Sequence, residues 1–191
     1  MEIRGQKVVL KNLEMTDLPD RHRWLNDQEV TRYFTNQGAF PLTMSAMTQW
    51  FEAATRASSH NQEVHLAIWT MDGKHIGGAQ LKAIDWRNRG AELGIFIGEK
   101  TDWGKGLATE ATQLLVQYGF ETLNLHRIWL RVDSQNHAAL KCYQKNGFQA
   151  DGIFRAEVYR DGGYHDSIVM SILKEEFLLW HAAASTVTGN H

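Results

Sequence analysis

Cysteine is nearly missing from this chain. Among 191 residues only Cys142 carries a thiol, which excludes an intramolecular disulfide and a thiol-rich metal site. The nine histidines are scattered, with no HExxH run and no closely spaced pair, so no structural metal is expected. Proline occurs twice, and no Ser/Gly-rich spacer, charge block or internal repeat breaks the sequence. One domain over 1–181 is therefore expected, with the Ala/Thr/Gly-rich end, 182–191, fraying. Neither sign of charge dominates: 20 Lys and Arg stand against 22 Asp and Glu, without the basic stripe that sustained nucleic-acid binding needs. No apolar run approaches the roughly 20 residues of a membrane span. Glu2, Arg4 and Lys7 put charge where a secretory signal needs apolar residues. These absences predict a cytoplasmic chain with neither membrane nor nucleic acid among its partners.

What the chain does have is a glycine-bracketed turn, Trp103-Gly104-Lys105-Gly106-Leu107-Ala108-Thr109, between an apolar run and a long amphipathic stretch. Glycines let backbone N–H groups approach an anion without Cβ interference, and the first turn of the following helix aims further N–H groups at it. The turn is therefore a candidate phosphate grip. A Walker A loop needs four residues between its first glycine and Gly-Lys; here five separate Gly98 from Gly104-Lys105, and Gly106 follows where Ser or Thr belongs. A Rossmann fingerprint would place Thr109 where Gly or Ala belongs, with five residues, Glu99 to Trp103, between strand and turn, and stays only as an alternative.

The periodicities predict a mixed α/β layout. Val8 and Leu10 mark a first strand, and Asp17 is placed to cap a helix reaching Trp24-Leu25. After Thr43, the residues Met47, Trp50, Phe51 and Ala54 follow helical spacing. A hairpin of 64–70 and 76–84 turns at Asp72-Gly73, and 91–98 forms the next strand. Leu107, Ala111, Leu114, Leu115 and Tyr118 lay an apolar stripe along a helix to about Leu123, and 128–132 returns as a parallel strand. A second hairpin, 148–160 and 164–173, closes about Asp161-Gly162-Gly163.

A second chemical signal lies between those last strands. Asn136 opens a short helix that carries Tyr143 and ends at Gly147-Phe148, with glycine at the C′ position. Seven residues apart, Asn136 and Tyr143 share a helix face, roughly 10 Å apart along its axis. A Gly-x-Gly-x-Ala turn opening a helix, then Asn with Tyr seven later and a Gly-Phe close, resembles the GNAT superfamily of acetyl-CoA-dependent N-acetyltransferases. Glu92-Leu93-Gly94-Ile95, Asn124-Leu125-His126-Arg127 and the hairpin through Gly162-Gly163-Tyr164 are similar to its RimJ/RimL-like branch, which includes polyamine acetyltransferases. The match runs from about Glu92 to Leu173; towards the N-terminus it rests on Trp24-Leu25-Asn26-Asp27 and the order of elements. The family's loop often begins with Gln or Arg three residues before the first glycine, where this chain has Thr101.

The resemblance implies a mixed, largely antiparallel sheet flanked by helices, acetyl-CoA as cosubstrate and an amine acceptor, with a homo-oligomer left open. It places the diphosphate at Trp103, Gly104, Lys105, Gly106, Leu107, Ala108 and Thr109. The acyl arm then lies along Ile95-Phe96-Ile97, on a strand that splays from its neighbour, and Asn136 bonds the pantetheine amides. Tyr143 is the candidate general acid for the departing thiolate, because a phenol is protonated at neutral pH. Asn136 as a helix cap and Tyr143 as a packing residue are the plain alternatives. Glu92 is the candidate general base through water, with Asp85, Glu157 and His126 as competitors. His137 and Cys142 face different ways and make no nucleophilic pair. Trp103 stands where it could pack on the cofactor, and Lys141 and Lys145 read as a solvated helix face. A noncatalytic acyl-CoA-binding regulator is the alternative function. The acceptor stays open among protein N-termini, polyamines, amino sugars and small amines. Polyamine enzymes resembling this chain carry acidic residues after an aromatic pair, whereas Tyr33-Phe34 is followed by Thr35-Asn36-Gln37.

Overall fold

The computed structural model of the chain describes residues 1–34 and 40–179. Thr35-Asn36-Gln37, Trp180, the domain boundary at 181 and the 182–191 end lie outside the described residues. The strands are β1 (Glu2–Arg4), β2 (Val8–Asn12), β3 (Val64–Thr70), β4 (His75–Asp85), β5 (Gly90–Ile97), β6 (Arg127–Asp133), β7 (Gln149–Arg160) and β8 (Gly163–Leu173). They make one eight-stranded sheet in the order β1-β2-β3-β4-β5-β6-β8-β7. Every neighbouring pair is antiparallel except β5 and β6, the two strands joined by the crossover helix. The mixed, largely antiparallel sheet is thus as the motifs imply.

Helices cover both faces because alternate residues of each strand bury on opposite sides. On one face α4 (Leu107–Glu121) lays Ala111, Leu115 and Phe120 against Leu66, Leu81, Leu93, Ile128 and Leu130. On the other, α1 (Leu18–Leu25) and α3 (Met44–Ser59) bury Leu18, Leu25 and Met47 with Trp50, Phe51 and Phe96. Thr43 caps α3 through Ala46 N–H, the reason that helix starts there. No helix among the described residues is long and apolar enough to cross a membrane.

Three details differ from the expectations. Asp17 sits at the N-cap position of α1, but its carboxylate accepts from the Glu14 N–H at 2.9 Å and closes the preceding 3-10 turn instead. The strand β1, the short α2 (Gln28–Thr31) and a final helical turn at 174–179 were hidden because each is too brief to show a period. The third is a clamp across most of the chain. Glu110, in the first turn of α4, accepts from the N–H groups of Gln6, Lys7 and Val8 at 3.0, 2.7 and 2.8 Å. Glycine at position 5 allows this, since a Cβ there would meet the Glu110 carboxylate at 2.8 Å. Hydrogen bonds to a charged acceptor each contribute about 1.5–3 kcal/mol, less where water competes. Glu110→Ala should therefore lower stability by about 2 kcal/mol, read as a reduced urea midpoint at constant slope; an unchanged midpoint would show that the clamp holds nothing together.

Candidate active site

The sheet parts in the middle. β5 pairs with β6 over Gly90↔Arg127, Ala91↔Ile128 and Glu92↔Trp129, and there the parallel ladder stops. Beyond it β5 stays with β4 as far as Ile97↔Gly77, while β6 stays with β8 as far as Asp133↔Ser167. Beyond Leu93 the β6-facing edge of β5 therefore has no strand partner among the described residues. An open edge leaves backbone N–H and C=O groups for another molecule. Ile95 and Ile97 point to the α4 core and Phe96 to the opposite cluster, so these residues line the gap with backbone rather than with side chains.

The Trp103–Thr109 turn stands at the end of that gap. Gly104 and Gly106 have φ of 75° and 78°, a left-handed backbone that β-carbons disfavour. Gly106 is the N-cap of α4 and offers no side-chain cap; the first helical bond runs from Glu110 N–H to its carbonyl. The N–H groups of Leu107, Ala108 and Thr109 consequently have no acceptor among the described residues, and they sit at the positive end of the helix dipole. The Thr109 hydroxyl turns inward to the Cys142 thiol at 3.6 Å, so its contribution to the turn is its N–H alone. Lys105 and Lys74 each hold Asp102 at 2.7 Å, and these hydrogen bonds keep the Asp102 carboxyl below the usual carboxylate range. Trp103 donates its indole N–H to the Ile97 carbonyl at 2.8 Å, closing the strand end with its ring 40% exposed.

Across the gap, α5 (His137–Lys145) ends as the sequence suggests. Gly147 has φ 82°, and Phe148 and Gly147 donate back to Tyr143 and Gln144. Asn136 caps α5 through its Oδ1, which accepts from Ala139 N–H at 3.1 Å. Its Nδ2 has no partner among the described residues. Tyr143 is 7% exposed and packs on Phe148 at 5.8 Å between ring centres. Burial, with Cys142 beside it, pushes its phenol up, so the proton is firmly held. Its hydroxyl makes no hydrogen bond among the described residues. Burial likewise pushes the Cys142 thiol up, the opposite of what a nucleophile needs. Lys141 and Lys145 are exposed, and so is His137.

Glu92 occupies the vertex where the ladder stops, on the α1/α3 face, and is bound to Lys82 of β4 at 3.1 Å. The competing bases are placed elsewhere. Asp85 is tied up by the Asn88 N–H and amide, which hold its carboxyl down. Glu157 accepts from Arg131 at 2.8 Å, and His126 is exposed behind the vertex, before β6. Two contributors escaped the sequence reading. Lys7 brings its ammonium to 3.6 Å from where a Cβ on Gly106 would stand. Asn146, 3% exposed, donates to the carbonyls of Thr109 and Cys142 and so fixes α5 against the start of α4. A separate cavity of about 910 Å³ lies at the ends of β3 and β4, lined by Phe51, His65, Trp86 and Tyr118, and none of the candidate residues borders it.

This geometry matches known proteins over most of the chain. The model of the acetyltransferase (GNAT) domain family matches residues 7–149. A spermidine N(1)-acetyltransferase of Escherichia coli (strain K12) is 32% identical over 183 residues, covering 93% of this chain and 91% of the relative. The crystal structure of spermidine N-acetyltransferase from Vibrio cholerae in complex with CoA and spermine superposes with a TM-score of 0.82 at 26% identity, over 91% of this chain and 99% of that one. The RimL ribosomal L7/L12 alpha-N-protein acetyltransferase in complex with CoA gives 0.81 over 91% of this chain and 98% of that one. At 15% identity it bears on the fold alone. The parted sheet, the uncapped helix start and these matches together place the chain in the GNAT acetyltransferase family, as an N-acetyltransferase with acetyl-CoA as its cosubstrate.

Proposed function

We propose that residues 1–181 form one domain that moves the acetyl group of acetyl-CoA directly to a primary amine in a ternary complex in the cytoplasm. The observation that supports this most is the unpaired edge of β5 lying between an anion-ready helix start and a buried phenol. The diphosphate sits on the N–H groups of Leu107, Ala108 and Thr109, approached across Gly104 and Gly106, with Lys105 and Lys7 as nearby cations and Trp103 against the cofactor's edge. Pantetheine extends the sheet along the backbone of Ile95, Phe96 and Ile97, and the Asn136 Nδ2 donates to one of its carbonyls while Oδ1 keeps the helix cap. The thioester carbonyl then lies beside the β5 backbone, whose N–H stabilises the oxyanion.

The amine nitrogen attacks the thioester carbon, the C–S bond breaks, and the thiolate takes the Tyr143 phenol proton. Glu92 receives the amine's proton through water, beside the Lys82 ammonium at 3.1 Å. The buried phenol is a weak acid towards solvent but not towards a thiolate released into the same dry pocket, where neither anion is hydrated. An acyl-CoA-binding regulator without turnover is the other reading, favoured only by the ion pair that already occupies Glu92. Product formation with any amine decides against it.

Two substitutions test the assignment. Gly106→Val forces a branched side chain into a left-handed backbone at the diphosphate and should weaken acetyl-CoA binding at least tenfold, about 1.4 kcal/mol; unchanged affinity in calorimetry with the fold intact would remove the turn from the site. Tyr143→Phe keeps the packing and deletes one proton donor. Its single-turnover rate should fall about 100-fold with acetyl-CoA affinity nearly unchanged. A wild-type single-turnover rate would make Tyr143 a packing residue.

A further inference from the structure

Arg21 of α1 is a cation without a counterion. Of the half-buried arginines, Arg127 pairs with Asp151 and Arg160 with Asp133, while Arg21 has no carboxylate or hydrogen-bond partner among the described residues. Its Nε is sealed from solvent with its hydrogen-bonding capacity unmet. The undescribed residues contain no Asp or Glu that could supply the missing charge. Neighbouring carboxylates are engaged: Asp20 with Arg23 and His75, Glu63 with His65, Glu92 with Lys82.

The position is built rather than incidental. The guanidinium lies 4.3 Å from the Trp50 ring centre and 5.0 Å from that of Phe96, so two aromatic faces grip it and fix its plane. Gly78 makes room beneath, since a Cβ there would stand 2.6 Å from Nη1. Burial lowers the guanidinium from 12.5 to about 10, which still leaves it charged at neutral pH. With Nε sealed, the donors left for a ligand are the Nη groups, a fork that matches two oxygens of one anionic group.

Arg21 also stands on the right side of the sheet. It packs over Phe96 and Gly78, which face each other across β5 and β4. Phe96, Gly94 and Glu92 share that face of β5, with Gly94 two residues, roughly 7 Å, from Phe96. The face opposes α4, where the cofactor's diphosphate is placed, so it is the side from which an acceptor approaches.

Resting on the acetyl-transfer reading, we propose that Arg21 receives a carboxylate or phosphate of the acceptor, whose class is therefore primary amines bearing an acidic group several bonds from the nitrogen. A polyamine would bring positive charge against this guanidinium. The expected acceptors are amino-acid-like or phosphorylated amines.

Matched acceptors test this with the unaltered protein: lysine against 1,5-diaminopentane, 6-aminohexanoate against hexylamine, glucosamine 6-phosphate against glucosamine, and spermidine. In at least one pair the acidic member should have a kcat/KM at least tenfold higher, and which pair responds separates carboxylate from phosphate. Arg21→Gln should lower kcat/KM for that acidic member at least tenfold more than for its neutral partner, chiefly through KM. Preference for spermidine or for every neutral member, or an equal loss for both members in Arg21→Gln, overturns the proposal. Should no amine be acetylated, the transfer reading fails separately. Calorimetry of propionate and inorganic phosphate on the CoA-saturated protein then decides the anion site: binding that Arg21→Gln removes supports it, and absence of binding overturns it.

Discussion

Three residues of parallel pairing, Gly90 to Glu92 against Arg127 to Trp129, join the two halves of this sheet. Everything functional depends on their being so few. A fourth and fifth rung would seal the β5 edge, and backbone groups satisfied by β6 could not accept another molecule. Both strands are held apart by better partners: β5 has a long antiparallel ladder with β4, and β6 one with β8. The parallel ladder is the weaker of the two kinds per residue, so it is the one that yields.

The halves also carry different chemistry to the gap. The β5 side contributes backbone and, through the turn after it, unpaired N–H groups at a helix start. The β6 side contributes α5, whose buried tyrosine holds its proton tightly. The Asn146 bonds to Thr109 and Cys142 carbonyls couple the two halves directly, holding the start of α4 against the helix that carries Tyr143. On the α1/α3 face Glu92 pairs with Lys82 and Asp20 with His75, while the buried Arg21 Nε has no partner among the described residues. Anion recognition by backbone on one face and by a guanidinium on the other would orient two substrates towards one carbonyl carbon.

The turn and α5 were legible because both are local. Positive φ at Gly104, Gly106 and Gly147 and the cap at Asn136 are set by residues within a few positions. The splay reached the sequence only through family resemblance, since the point where a ladder stops is fixed by four strands distant in the chain. Glu110 and Arg21 were invisible for related reasons. The first acts on N–H groups more than a hundred residues away, and the second matters for a partner it lacks, which no motif can display. Asn136 was ambiguous because a cap and a ligand donor call for the same amide. Its Oδ1 serves the cap and leaves Nδ2 without a partner among the described residues, so a cap and a ligand contact would not compete.

The central claim is that the open edge of β5 is where acetyl-CoA docks by extending the sheet. Amide-resolved hydrogen exchange on the protein with and without CoA measures this directly. The gap-facing N–H groups of Ile95 and Ile97 should slow at least tenfold when CoA saturates the protein, while those of Gly90 to Leu93, already paired with β4 or β6, should change little. Slowing confined to the Trp103–Thr109 turn, with gap-facing β5 amides exchanging as in the free protein, would contradict it.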